Sequence, residues 1–318
     1  MIRRWLANYA IFAALLVECL FLALATDAFF THSNLGNVLR QNAFTAILAA
    51  GMSLVILTGG IDLSVGSVVG LAGVLSADAL LRTGSLPAGV AVGLLVGLAV
   101  GTVNGLAVTK LRVPPFIVSL AMMLLVRGAA YKYTNARTIS GLPSSFAALS
   151  QGALSAAIMA AVFALTWLLL MRTPFGRHVY ATGGNPEAAW LAGIRVDRVL
   201  LAVYALCGLC AGIAGLIISS NGKSADGNNA GLLLELDAIL AVVLGGTSLA
   251  GGKFSLLGSI LGAFLVQALT TTIYSVGVAP EYAMVVKGVV VLVVSILQSE
   301  RTKALIRAVL TGRRKPAR

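Results

Sequence analysis

The sequence predicts an all-α, polytopic membrane protein of about ten transmembrane helices, some of them broken or re-entrant. Three observations predict it. Of 318 residues, 58% are hydrophobic and 11% charged, with a mean hydropathy of +0.96, where an ordinary soluble domain carries about a quarter charged residues. Apolar runs recur near residues 9–28, 36–57, 65–81, 87–108, 115–134, 152–171, 199–219, 236–250, 254–275 and 282–298. The basic residues collect between alternate pairs of those runs. A span needs roughly 20 apolar residues. The short run 236–250 and the polar-interrupted run 115–134 are therefore candidates for broken, tilted or re-entrant segments.

The first run follows Arg3 and Arg4 and contains Ala23-Leu24-Ala25, which imitates an export-signal cleavage site; its apolar character continues to Phe30, as expected of a first span. With the N-terminus inside, the inner segments hold 16 of the 23 basic residues, among them Lys110, Arg112, Arg172, Arg177, Arg195, Arg198 and Lys253. That bias follows the positive-inside rule and expects both termini in the cytoplasm. One transmembrane domain over 1–318 then carries a cytoplasmic loop at about 172–198 and a basic tail at about 299–318. The lipid bilayer is the expected partner of that basic charge, through its anionic inner leaflet, and nucleic acid is not.

The fourth run carries Gly89, Gly93, Gly97, Gly101 and Gly105 at every fourth residue. This spacing strips side chains from one helix face and expects a helix buried in the bundle. Shorter pairs occur at Gly66/Gly70, Gly208/Gly212 and Gly258/Gly262. Cys207-Gly208-Leu209-Cys210 matches C-x-x-C but sits inside a span with no βαβ pattern around it, so it reads as packing.

Two glycine-rich breaks share a GG-x-x-L-x-x-G frame: Gly59 to Gly66 (GGIDLSVG) and Gly245 to Gly252 (GGTSLAGG). Paired interruptions in the two halves of a transporter flank its moving or binding region. Gly59, Gly60, Asp62, Ser64, Gly245 and Gly246 are the residues of these breaks to watch, with Asp62 expected to N-cap a helix beginning at Leu63.

The loop Gly183 to Ile194 contains a third signal. Asn185 is a good N-cap, Pro186 suits the first helical position, and Glu187 places negative charge where the helix dipole favours it. Pro186 to Ala192 make about two turns, closed by Gly193, too short to stand alone in water. No catalytic motif accompanies it. The nearest approach to a phosphate loop, Thr247 to Phe254, lacks the first glycine and the final hydroxyl residue. His32 and His178 are far apart, and no metal-binding or nucleophile-elbow motif is present. The chain therefore reads as a non-enzyme with no metal or cofactor of its own.

The combination of GGIDLSVGS (59–67), Pro114-Pro115-Phe116-Ile117, Arg127-Gly128, YATGGNPEAAWLAGI (180–194), LELDAILAVVLGGTSLAGGK (234–253) and VVKG (285–288) resembles the permease subunits of bacterial ABC monosaccharide importers of the ribose-transporter type. The resemblance covers about residues 10–298. Phe254 and Thr270-Thr271-Thr272 depart from the ribose pattern. With Asp226 to Gly231 and Leu297-Gln298-Ser299, they are more similar to the galactofuranose-importer branch, in which two different permeases pair.

The resemblance implies a transmembrane permease of the bacterial inner membrane that forms the sugar path. It implies a separate ATPase subunit that binds ATP, a periplasmic sugar-binding protein, and a second permease, identical or homologous, with a heterodimer favoured. Asn185, Pro186, Glu187, Ala188, Ala189 and Trp190 then correspond to the coupling helix that docks on the ATPase, Trp190 being equally placed for the aromatic belt. Within the spans Asn42, Asn104, Tyr131, Gln267, Thr271 and Tyr274 are candidates for a sugar path. Two other readings stand beside this one. An ion-coupled secondary sugar transporter would need intramembrane carboxylates, of which Glu18 is the one well inside a span. An ABC permease for a branched-chain amino acid would need a charge such as Arg127.

Overall fold

The structure is a computed structural model and describes residues 12, 15–24, 31–151, 153–275, 282, 285–289, 292 and 296. It is almost wholly helical. In chain order the helices are α1 (Leu15–Leu24), α2 (His32–Leu57), α3 (Val65–Thr83), α4 (Leu86–Lys110), α5 (Pro115–Thr134), α6 (Ser144–Ala147), α7 (Leu154–Arg172), α8 (Pro174–Gly184), α9 (Pro186–Leu191), α10 (Val196–Gly222), α11 (Leu234–Leu244) and α12 (Leu256–Ser275). Six of them, α2 from Asn34, α3, α4, α5, α7 and α10, are long and apolar enough to cross a membrane. A two-stranded antiparallel ribbon pairs β1 (Ile139–Ser140) with β2 (Ser224–Ala225). The chain divides into two compact units, Met1–Ala268 and Leu269–Arg318. The second is helical at the end of α12 and at 285–289. The basic tail and the first eleven residues lie outside the described residues.

The core of the first unit is α10 packed against α4, α2 and α3, and glycine sets how closely they approach. A Cβ at Gly97 would collide with the Gly208 carbonyl oxygen and lie 2.9 Å from the Gly212 Cα; one at Gly101 would collide with the Tyr204 carbonyl. The α4 face thus meets the Gly208/Gly212 pair of α10, backbone on backbone. The other short pairs are contacts too. Gly258 and Gly262 of α12 press on the Gly245 and Ala241 carbonyls, and Gly66 and Gly70 of α3 on the Gly231 and Ala230 carbonyls. Cys207 and Cys210 are free thiols packed on Gly51 of α2, so the C-x-x-C match is packing.

Two expectations need correction, and a third holds. Helix α4 is buried on its glycine face alone: Leu95 and Val103 on the rest of it are 61% and 49% exposed, the condition of a lipid-facing surface. Hydropathy cannot separate core from lipid. The run 115–134 is not broken, because α5 is one continuous helix; Arg127 and Lys132 interrupt its hydropathy but not its backbone hydrogen bonds. The run 236–250 does break, after Leu244. At 11 residues, α11 is about 16 Å long, half a hydrocarbon core of ~30 Å.

One end of the bundle is closed by side chains. Phe146, fully buried on α6, packs with Val74, Leu80, Leu142 and Leu216, and Ser220 Oγ donates to the Phe146 and Ala147 carbonyls at 2.7 and 3.1 Å.

Candidate functional site

Each break joins the same two devices. Helix α2 ends in a Schellman turn, with Gly60 N–H donating to the Val55 carbonyl (3.1 Å) and Gly59 N–H to Ile56 (2.9 Å). Helix α11 ends identically, from Thr247 to Val242 (3.2 Å) and Gly246 to Val243 (2.9 Å). Gly59 (φ +79°) and Gly246 (φ +83°) occupy the left-handed position that this turn requires. A side-chain turn follows. Asp62 Oδ1 accepts from Ser64 N–H at 2.9 Å, and Ser248 Oγ accepts from Ala250 N–H at 3.3 Å. Asp62 and Ser248 hold the same place in the GG-x-x-L-x-x-G frame, so the repeat is structural as well as textual. The cap-to-turn spacing differs by one residue.

The first break returns into protein. Asp62 and Ser64 are buried; Ser64 Oγ donates to Asp62 Oδ1 at 2.6 Å, and Asn104 Nδ2 of α4 donates to Ser64 Oγ at 2.8 Å, with both Asp62 oxygens at 3.4 Å. Ser119 Oγ of α5 donates to the Ile61 carbonyl at 3.1 Å. Helix α3 begins at Val65, with Ser64 at its N-cap, two residues after the expected start. Asp62 therefore shapes the turn into the helix and does not cap it. Asn104, read as a path residue, here ties α4 to the break.

The second break meets the first through the end of α8. Gly252 N–H donates to the Leu57 carbonyl at 3.0 Å. A Cβ on Gly183 would collide with that same carbonyl oxygen and stand 3.1 Å from Gly252 N, while one on Gly251 would stand 3.0 Å from Gly59 N. Phe254, one departure from the ribose pattern, sets its ring edge-on to Tyr180 of α8, with centroids 6.4 Å apart. Three backbones thus share one junction.

Helix α9 leaves that junction directly. Asn185 Oδ1 accepts from Ala188 N–H at 3.0 Å, Pro186 stands at the first helical position and Glu187 in the first turn. Ala189 is buried, whereas Glu187, Ala188 and Trp190 are exposed, Trp190 by 68% and Leu191 by 78%. The helix ends at Leu191, one residue before the expected end, and Ile194 N–H donates to the Ala189 carbonyl across Gly193. A groove of about 780 Å³ runs beside it, lined by Glu187 and Trp190 and by Lys110, Arg112, Arg195 and Arg198. Helix α8 was missed in the sequence. Its signal was Thr173-Pro174, an N-cap followed by a first-turn proline, and Thr173 Oγ1 does accept from Gly176 N–H at 3.4 Å.

Arg127, half-buried on α5, holds the segment after α10 against the start of α3. Its Nη1 donates to the Ala230, Gly227 and Asn228 carbonyls at 2.7, 3.3 and 3.4 Å, and its Nη2 to Gly66 at 3.3 Å. Tyr131, one turn on, donates to the Asn228 carbonyl at 3.5 Å. Asp226 makes a third side-chain turn, accepting from Asn228 N–H at 2.8 Å and from Asn229 Nδ2 at 2.9 Å. Partial burial works against its carboxylate. Those hydrogen bonds and the nearby Arg127 charge outweigh it and hold Asp226 below the ordinary aspartate pKa. The Arg127 clamp was not read from the sequence, since its acceptors are main-chain atoms 61 to 103 residues away.

The remaining path candidates are dispersed. Asn42 is fully buried, with neither amide atom partnered among the described residues. Gln267 Nε2 donates to Gln41 Oε1 at 3.0 Å, bridging α12 and α2. Thr271 is partly buried; Tyr274 lies on α12 with its side chain outside the described residues. Glu18 has a buried Oε2 with no partner among the described residues.

The model of a family described as "Branched-chain amino acid transport system / permease component" matches residues 34–295. The chain is 40% identical over 309 residues to the ribose import permease protein of Escherichia coli K12, covering 94% of this chain and 96% of that one. It is 39% identical over 298 residues to the ribose import permease protein of Bacillus subtilis, covering 92% of each. To the galactofuranose transporter permease protein of Escherichia coli K12 it is 42% identical over 278 residues, covering 86% of this chain and 82% of that one. No solved structure matches the chain.

Proposed function

This chain belongs to the family of branched-chain amino acid transport system permease components, and on that premise we propose that it is the membrane-spanning permease subunit of an ATP-driven monosaccharide importer. The observation that carries the reading is the identity, along most of both chains, to permeases named for ribose and galactofuranose. The amino-acid alternative loses its support because Arg127 is engaged by four main-chain carbonyls, which leaves no free cation there for a zwitterion. A furanose is the first sugar to test against ribose, on the departures at Phe254 and Thr270–Thr272.

The rest of the assembly follows the same reading. The chain sits in the bacterial inner membrane with about ten membrane segments, α11 re-entrant and both termini cytoplasmic. It pairs with a second permease, a homologous one in preference to an identical one, and receives sugar from a periplasmic binding protein. ATP binds to a separate subunit, on which α9 docks through Asn185 to Trp190, with Glu187 and Trp190 presented outward. What supports that docking role is the shared junction: a push on α9 reaches Gly183 and, through the Leu57 carbonyl and Gly252, the ends of α2 and α11 together. Asn42 is the best-supported path residue, since a fully buried amide without a partner is costly unless something polar passes it. Asn104, Tyr131, Gln267, Thr271 and Tyr274 remain path candidates beside it.

Vesicles containing the chain, loaded with and without the ATPase subunit, should take up radiolabelled monosaccharide only with that subunit and ATP. Glu187→Arg should lower uptake while leaving membrane insertion intact. Uptake driven by an ion gradient alone would overturn the reading, and wild-type uptake by Glu187→Arg would remove Glu187 from the docking surface.

A further inference from the structure

A second cavity lies beside the groove of α9, on the far side of the Gly193–Arg198 segment. It measures about 430 Å³ and is lined by Phe175 and His178 of α8 and by Arg195, Arg198, Val199 and Ala202. Every titratable residue in that lining is basic. Glu187 and Asp197, which line the neighbouring groove, are absent from it. Arg195, Arg198, Val199 and Ala202 follow an i, i+3, i+4, i+7 spacing, so they form one stripe at the start of α10. The stripe is cationic at its outer end and apolar where it enters the span. Arg195, Arg198 and His178 are exposed and Val199 is buried, and no ion pair engages either arginine among the described residues. The depth is marked independently on the preceding span, where Arg172 ends α7 with its guanidinium 5.2 Å above the Trp167 ring, the belt arrangement of a membrane–water boundary.

We propose that this cavity binds an anionic phospholipid of the inner leaflet, its phosphate held by Arg195, Arg198 and His178 and the start of an acyl chain laid along Phe175, Val199 and Ala202. The sign of the lining selects an anion. The apolar half of the stripe selects one with a hydrocarbon tail, because a free phosphate would leave Val199 and Ala202 uncovered. Basic pockets between membrane helices on the cytoplasmic side are the usual seats of such head groups, and two guanidiniums give the planar donor forks that suit phosphate oxygens. The site adjoins the Gly193–Arg198 segment that connects α9 to α10, so its occupant would stiffen the loop at the membrane surface. The proposal depends on the membrane placement of α10 and on neither the sugar nor the ATPase.

The test uses the full chain purified in detergent. Native mass spectrometry and thermal melting are recorded with phosphatidylglycerol, with phosphatidylcholine, and with inorganic phosphate. Phosphatidylglycerol should be retained and raise the melting temperature, phosphatidylcholine and phosphate much less. Arg195→Gln/Arg198→Gln should weaken phosphatidylglycerol retention about thirtyfold, about fivefold for each arginine. Ala202→Trp, which keeps both charges and fills the apolar half, should weaken it as well, so the test survives misfolding of the double variant. Equal retention of the two lipids, or an equal response to phosphate alone, would overturn the proposal. Unchanged retention in the double variant, with assembly with the ATPase lost instead, would assign the arginines to a protein partner and overturn it too.

Discussion

The breaks at 58–64 and 245–252 are built alike and placed differently. Both end a helix with a glycine Schellman turn, and both then fold on a side-chain oxygen two residues before the amide that it accepts from. The first turns back into protein, where Asp62 and Ser64 are 1% exposed and tied to α4 through Asn104. The second comes nearer the surface, with Leu249 at 38% exposure, and a main-chain bond from Gly252 to Leu57 ties it to the end of α2. A local motif therefore fixes the turn, while the neighbours decide whether it is a rigid strut or a compliant one.

The largest expected difference lies in the turn-forming side chains. Asp62→Ala would leave the Ser64 hydroxyl and the Ser64 N–H without their buried acceptor, at a cost on the order of 3 kcal/mol. Ser248→Ala removes one long, exposed hydrogen bond and should stay within about 0.5 kcal/mol. Paired thermal denaturation of the two variants in one detergent measures this. Equal losses would show that the two breaks are equally rigid, and the comparison would fail.

This contrast explains what could be read in advance. The two glycine breaks, the Asn185 cap and the glycine face of α4 are local patterns with fixed spacing, and each was found where expected, although the Schellman form of the breaks was not read. The Asp62 environment was not, because Asn104 reaches Asp62 from 42 residues away and Ser119 reaches the adjacent Ile61 carbonyl from 58 residues away, and nothing in GGIDLSVG tells a buried turn from an exposed one. Arg127 shows the same limit, since its carbonyl acceptors carry no residue-type signature. The exposed face of α4 was misread for a different reason: in a bilayer, leucine is at home on either side of a helix.

The next difference concerns the last glycine of each frame. Gly66→Ala would drive a Cβ into the Glu235 carboxylate and the Gly231 carbonyl, an overpacking cost of about 2–3 kcal/mol. Gly252 has φ +70° but its nearest neighbour to a new Cβ is 3.2 Å away, so Gly252→Ala should cost only about 1 kcal/mol, from its backbone conformation. Denaturant or thermal melts that rank the pair in the reverse order would mean that the second break is the more tightly held.

Access separates the breaks without any energy measurement. With Cys19, Cys207 and Cys210 replaced, single cysteines at Leu63 and Leu249 can be exposed to an impermeant thiol reagent in inside-out vesicles. Position 249 should label readily and position 63 slowly or not at all, and positions 187 and 228 serve as the inner and outer references. Labelling of 228 with 187 silent would invert the membrane orientation and put both breaks at the outer surface.

The smallest effect comes from the third copy of the turn, at Asp226 beside Arg127. Its folded pKa lies below the ordinary aspartate value, so the sign is that of a group more easily ionised folded than unfolded. The stability it contributes is fully present above the ordinary aspartate pKa and is lost as pH falls through the lowered folded value. Asp226→Asn keeps an oxygen able to form the turn but abolishes the charge. Its melting temperature should sit slightly below wild type at neutral pH, and the gap should close on acidification below the ordinary aspartate range. Asp62→Asn in the buried copy should show no such closure from the Arg127 charge, since Ser64 and Asn104 supply its partners. A gap for Asp226→Asn that stays constant at every pH would mean that the turn is held by geometry alone, with Arg127 acting on the carbonyls of 227–230 and not on this carboxylate.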